Sequence, residues 1–328
     1  MAQLTHETRD ASGQARGPFP IRGVDPEADL SRLVRLFNET DAVDQADRAV
    51  TETELRQRLS DPGQDPARDR FVVAAPGDPD QLVAHAAVFK APTAPGGWMQ
   101  LTTHPDWRRQ GLGNALLESA LARLRELGAA YVYAGAEDTN PAAQQFAERR
   151  GFRQVQTFIQ MRALPEVELA EPALPAGYSV RTYAEVNDLG KLLEALNRGF
   201  IGHWEQHDES EEEVAHWLTS ESVRPEGIFL AFGPAGDVAG ICFTEISEGR
   251  ARRRGAPTGY IDSLAVVPEH RRHGLGRALL LIGMRWLREQ GQTIIELNAV
   301  GDNALALPLY ENVGFFISQQ AKGYRRDL

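Results

Sequence analysis

The chain has 328 residues, 42% of them hydrophobic and 25% charged, which suits two globular domains of about 150 residues each. Its net charge of −11 argues against nucleic acid as the main partner, because phosphate backbones are bound by basic surfaces, and weakly favours a cationic small molecule. No apolar run reaches the roughly 18 residues of a membrane span, no apolar signal region follows Met1, and the single cysteine, Cys242, excludes an internal disulfide and a cysteine-based zinc cluster. A cytoplasmic protein without membrane association is expected.

Residues 1–17 are polar and are expected to form a disordered tail. The first domain is expected over 18–164. It starts with a strand at 19–24 and a helix at 29–38, whose apolar positions Leu30, Leu33, Val34 and Phe37 repeat at helical spacing. A short helix at 51–59 and strands at 71–75, 82–90 and 98–103 follow. Then come a long helix to about residue 127, a strand at 130–134, a helix at 141–150 and a strand at 153–162. Three prolines among acidic residues make 165–177 a semi-rigid linker.

The second domain, 178–328, repeats this order. A strand at 178–182 is followed by helices at 186–197 and 211–219 and by strands at 228–232, 238–246 and 259–267. A long helix at 274–290, a strand at 293–299, a helix at 302–312 and a strand at 315–324 complete it. Strands and helices mixed in this order predict an α/β fold with a mixed sheet, built twice. Cys242 falls within an apolar strand and reads as a buried thiol. The basic run Arg252–Arg254 reads as a solvated hairpin tip.

The repeat is sharpest at two glycine loops. Arg108-Arg109-Gln110-Gly111-Leu112-Gly113 and Arg271-Arg272-His273-Gly274-Leu275-Gly276-Arg277 stand at a constant offset of 163 residues, which also relates Asn140 to Asn303 and Gly151 to Gly314. Each loop opens a helix, where free main-chain N–H groups and the positive end of the dipole attract an anion. Glycines let a pyrophosphate approach the backbone, and Arg108 and Arg271 add charge. Neither loop carries the Lys-Ser/Thr pair of a P-loop or the third glycine of a dinucleotide fingerprint.

With their flanks, Leu264 to Gly276 and Asn303 to Phe315 resemble the two signatures of the GNAT superfamily of N-acetyltransferases. The tandem arrangement, with Phe200 to Gln206 early in the second half, is similar to the tandem group that includes mycothiol synthase. The resemblance implies two tandem GNAT domains, each a splayed mixed sheet flanked by helices, that take acetyl-CoA (coenzyme A) as cosubstrate. It implies pantetheine pairing along Leu264, Ala265 and Val266, with the Leu264 N–H at the thioester carbonyl. The pyrophosphate would be held over Arg272–Arg277, the pantetheine arm would meet Asn303, and Arg108, Arg109, Gly111 and Gly113 would form the matching loop in the first half.

Acetyl transfer to an amine requires removal of a proton from nitrogen, a donor for the oxyanion and an acid for the departing thiolate. Tyr310 occupies the acid position of the resemblance, and its first-half equivalent is Ala147. The family's strand carboxylate is replaced by Tyr260. Asp262, two residues on and so on the same face of a regular strand, is the leading base, Glu245 is a second candidate, and relay through water remains open. The segment containing His203, Trp204, Glu205 and His207 either walls the acceptor pocket, together with Tyr260, or is a polar loop; two histidines four apart would suit a metal only on a helix, which Gly202 disfavours.

The expected reaction is direct acetylation of a primary amine on a small molecule or peptide by the second half. The first half, with no acid, is expected to bind CoA without turnover or to serve as a structural half. Acetylation of a cysteinyl amino sugar and acyl-CoA sensing without catalysis are the rival expectations. Acyl chain preference and oligomeric state stay open.

Overall fold

A computed structural model describes residues 4–9, 15–45, 49–204, 206–301 and 306–328, with 4–9 and 15–18 as backbone only. The chain divides into two compact units, Met1–Val155 with Lys322–Leu328, and Gln156–Ala321. No helix among the described residues is long and apolar enough to cross a membrane.

In the first unit β1 (Leu4–Arg9) pairs antiparallel with β2 (Ala15–Gly23). Part of the segment expected to be a disordered tail thus joins the sheet through main-chain groups along the edge of β2. Helices α1 (Leu30–Asp44), α2 (Glu52–Leu59) and the short α3 (Pro66–Asp69) precede β3 (Arg70–Ala75), β4 (Asp78–Phe89) and β5 (Gly96–Thr103). Next are α4 (Leu112–Glu126), β6 (Tyr131–Glu137), α5 (Pro141–Glu148) and β7 (Arg153–Ala163). A capping box between Thr51 and Glu54 fixes the start of α2.

The second unit holds β8 (Ser179–Thr182), α6 (Tyr183–Val186), α7 (Leu189–Gly199), α8 (Glu211–Trp217), β9 (Val223–Phe232) and β10 (Val238–Ile246). Then follow α9 (Glu248–Arg254), β11 (Thr258–Val266), α10 (Leu275–Glu289), β12 (Ile294–Val300), α11 (Ala306–Asn312) and β13 (Phe316–Asp327). Helix α10 buries Leu275, Ala278, Leu279, Met284 and Leu287 against this sheet. It crosses β10 so closely that a Cβ on Gly283 would stand 2.5 Å from Cys242 Sγ, which is why a helix former is absent there.

Both units carry the same core order, β2-β3-β4-β5-β6 and β8-β9-β10-β11-β12, antiparallel except for the last, parallel pair. The closing strands are exchanged. Beside β12 in the second unit lies β7, which belongs to the first half of the sequence. The end of β13 belongs to the first unit, where Tyr324, 1% exposed, packs with Phe152 and donates to Glu148 (3.2 Å). The boundaries drawn from the repeat therefore differ from those of the compact units.

Residues 165–177 lie along α10 rather than standing free. Arg285 donates to the Leu169 carbonyl (3.2 Å) and pairs with Glu171 (2.6 Å), and Val167 packs on Gly314. The basic run 252–254, expected at a hairpin tip, ends helix α9, which starts at the Ser247 cap and stops at Gly255 in the left-handed region (φ 65°). Arg254 Nε donates to Glu296 (2.5 Å). Arg162 (2.8 Å) and Arg250 (3.4 Å) meet the same carboxylate, whose side chain is fully buried. A buried carboxylate demands such partners, and these hold α9 and β7 against β12.

Candidate active site

Strand β11 pairs with β12 only at its start, Thr258–Ile261 against Ile294–Leu297. Beyond that point β12 continues beside β7 to Val300 while β11 continues beside β10 to Val266. The strands part, and the backbone from Asp262 to Val266 borders the gap. In the first unit β5 and β6 part likewise after Trp98 and Tyr133.

A bulge separates the halves. Phe243 faces Ser263 and Thr244 faces Ile261, so Asp262 is an extra residue on β11 without a partner on β10. The β4–β5 ladder runs without interruption from Ala84–Thr103 to Phe89–Trp98. Strict alternation would put Asp262 on the face of Tyr260; the bulge breaks it. Tyr260 is buried under the Arg250 guanidinium, 3.9 Å from its ring centroid, and does not line the cavity described below, whereas Asp262 and the adjacent Ser263 both do. Solvent reaches the Asp262 carboxylate, yet protein surrounds it. That enclosure raises its pKa above the usual carboxylate range, opposed by the Ser263 hydroxyl (2.9 Å) and by Arg250.

Each gap opens beside a glycine loop of the same backbone shape. Arg272 (φ 66°) and Gly274 (φ 83°) in one, Arg109 (φ 65°) and Gly111 (φ 89°) in the other, adopt left-handed conformations. This gathers successive N–H groups into a concavity at the first turn of α10 or α4, a fitting cradle for a pyrophosphate. Arg272, His273 and Arg277 are exposed beside it, and Leu275 is buried. At Gly276 a built Cβ finds only Val266 (3.6 Å) and Leu309 (3.8 Å). At Gly113 it meets Phe146 at 3.1 Å. Arg150 stacks 3.8 Å from the Phe146 ring and donates to Asn114 (2.5 Å), so the first-unit loop is the more crowded.

The loop arginines are engaged as braces. Arg271 donates to the carbonyls of Val266 (2.9 Å), Gly199 (3.1 Å) and Ile201 (3.0 Å), tying the loop to β11 and to the end of α7. Arg108 similarly reaches Thr103 (3.2 Å) and Asp44 (2.6 Å). Sequence reasoning missed a further brace: His270, in the turn before the second loop, bridges the Tyr178 hydroxyl (3.0 Å) and Asp237 (2.9 Å). Its partners are too distant in sequence to leave a local signal. Asn303 and Glu205 lie outside the described residues.

Tyr310 sits on α11, 8% exposed, edge-on to Phe315 (6.1 Å). Burial, with Cys242 nearby, pushes its pKa up to about 12, and its hydroxyl has no hydrogen-bond partner among the described residues. It can hold a proton until a strong base arrives. The Cys242 thiol is fully buried and pushed up to about 12 by desolvation, so it is no nucleophile at neutral pH.

A cavity of about 410 Å³ lies over the bulge. Phe243, Glu245, Asp262 and Ser263 form one side; α7, the following loop and Trp217 form the other. His203, Trp204 and His207, expected near an acceptor, line it. Trp204 rests edge-on against Phe158 of β7 (5.5 Å). The loop is pinned by the Asn197 amide, which accepts from the Glu209 N–H (2.8 Å) and donates to its carbonyl (3.0 Å). Burial raises the pKa of the Glu209 carboxyl; neighbouring carboxylates, Asp262 among them, add to this and His207 opposes it. Sequence reasoning passed over Glu209 because nothing local connects it with Asp262.

The model of the acetyltransferase (GNAT) family matches residues 31–152 and again 189–315. The mycothiol acetyltransferase of Segniliparus rotundus is 34% identical over 257 residues, 78% of this chain and 89% of that protein. That of Salinispora arenicola is 30% identical over 290 residues, covering 88% and 89%. A tandem GNAT protein from the clavulanic acid biosynthesis pathway superimposes with a TM-score of 0.72 at 20% identity, over 94% of this chain and 98% of that one. The paired splayed strands and paired glycine loops thus have a common origin: the chain belongs to the GNAT acetyltransferase family, as a tandem of two such domains.

Proposed function

We propose that the second half transfers an acetyl group directly from acetyl-CoA to a primary amine of a small molecule or peptide. The observation that carries this is the bulge at Asp262, present on β11 and absent from β5. A bulge re-aims side chains and leaves main chain unpaired. Here it brings a carboxylate of raised pKa to the cavity wall beside the splayed edge. The α10 loop would take the pyrophosphate, and the Leu264 N–H the thioester oxygen, where an oxyanion donor contributes about 3 kcal/mol.

The amine gives its proton to Asp262, directly or through water, and its lone pair forms the C–N bond. As the C–S bond breaks, the thiolate takes the Tyr310 proton, and the second proton, lost from the attacking nitrogen as the amide forms, passes through water to restore the tyrosine. No acyl-enzyme is needed, since Cys242 is sealed in the core. Ala147 stands at the position of Tyr310 in the first half. We assign that half no chemistry, and its crowded loop supports a structural role. Replacing Tyr310→Phe is expected to lower kcat about 100-fold with little change in KM for acetyl-CoA; unchanged turnover of a good acceptor would overturn the assignment.

The match to mycothiol acetyltransferases favours a second reading, acetylation of a cysteinyl amino sugar. Tyr260, where the superfamily often has glutamate, counts against it. Comparing CoA release with a cysteinyl glucosamine and with simple amines separates the two.

A further inference from the structure

The cavity over β11 has a definite electrostatic character. Glu209, Glu245 and Asp262 line it, and no lysine or arginine among the described residues does. Its basic lining groups are His203 and His207, the latter 3.7 Å from Glu209. Glu209 and Asp262 come from different elements, the α7–α8 loop and the β11 bulge, and both face the cavity, Glu209 half-buried and Asp262 exposed on its wall. Lining the same cavity, they are placed so that Asp262 adds to the rise in the Glu209 pKa that burial begins. Like charges lining one cavity repel, and a bound cation would offset that repulsion. Among the remaining lining groups are the rings of Phe200, Trp204, Trp217 and Phe243, which suit methylene chains and ammonium groups alike.

A single amine needs only one of these carboxylates. It reacts as the neutral base after Asp262 removes its proton; Glu245 shares the strand wall with Asp262, and Glu209, on the opposite wall, is not used by that step. From this, we infer that the acceptor is dicationic, an amine bearing a second ammonium group some distance from the reacting nitrogen. The reacting amine sits at Asp262, next to the splayed edge. The second ammonium is held by Glu209, with the aromatic walls around the chain between them. This rests on the acetyltransferase reading above and narrows it to a substrate class. It also separates this site from one built for a cysteinyl amino sugar, which carries a single free amine.

The test uses the full-length protein with acetyl-CoA and two acceptors of equal length, 1,5-diaminopentane and 5-amino-1-pentanol. CoA release is followed for both, and calorimetric titration of each into the protein gives binding independently of turnover. The expected result is a kcat/KM about ten-fold or more higher for the diamine, carried mainly by KM. In Glu209→Gln that ratio should fall towards one. Equal rates for the two acceptors, or preference for the amino alcohol, would overturn the inference and leave acetyl transfer standing. If neither amine is acetylated but the diamine binds more tightly than the amino alcohol, the cation site stands and the transferase reading fails. If neither binds nor reacts, the inference is wrong.

Discussion

At Asp262 a single residue differs in circumstance, not only in type, from its first-half counterpart. Its equivalent, Met99, pairs regularly with Val88, whereas Asp262 has no partner across the β10 ladder. Being enclosed, its carboxyl titrates above the ordinary range, and only the ionised form can accept a proton from the amine. Activity should therefore fall as pH drops through this raised pKa, placing the acid limb of kcat/KM higher than a free carboxylate would. In Asp262→Asn the limb should vanish and kcat/KM fall about 100-fold; a pH–rate profile with an unmoved limb would assign it to another group. That Asp262 was a candidate base could be read from its place before the loop. That it stands off Tyr260's face could not, because alternation assumes an unbroken ladder.

Among the elements, α9 shows how charge and packing replace pattern. Its sequence, Glu-Gly-Arg-Ala-Arg-Arg-Arg, has no apolar stripe, so periodicity gives no helix there. What orders it is Glu296 of β12, which meets Arg250 and Arg254 from α9 and Arg162 from β7. These partners are 46, 42 and 134 residues away in sequence, respectively. Removing one member of a buried ion cluster strands the rest. Glu296→Gln is accordingly expected to cost about 3 kcal/mol, read as a lower urea midpoint with an unchanged slope. The same cluster sets Arg250 over Tyr260 and toward Asp262, linking the stability of β12 to the proposed base. The long helices α4 and α10 were legible by contrast, since glycine caps and apolar spacing act within a few residues.

For the whole molecule, the exchange of closing strands makes each half depend on the other's chain. Lys322–Leu328 ends the sequence yet completes the first unit, where Tyr324 fills the core beside Phe152 and the Leu328 N–H donates to Ala130 (3.0 Å). Truncation after Ala321 should destabilise the first unit on the order of 5 kcal/mol, the scale of losing a buried aromatic with its neighbours. Hydrogen exchange would show protection lost in β6 and α5 and retained in α10; uniform loss, or loss confined to α10, would contradict this. The sequence by itself determined the duplication, the order of elements, both glycine loops and the contrast of Tyr310 with Ala147, because each is written in local spacing or in residue identity at a fixed offset. Only the tertiary structure decided the bulge, the placing of Glu209 and Asp262 on one cavity, the arginines around Glu296 and the exchanged strands. These depend on which residues, far apart along the chain, are brought to one place, and local spacing carries no record of that.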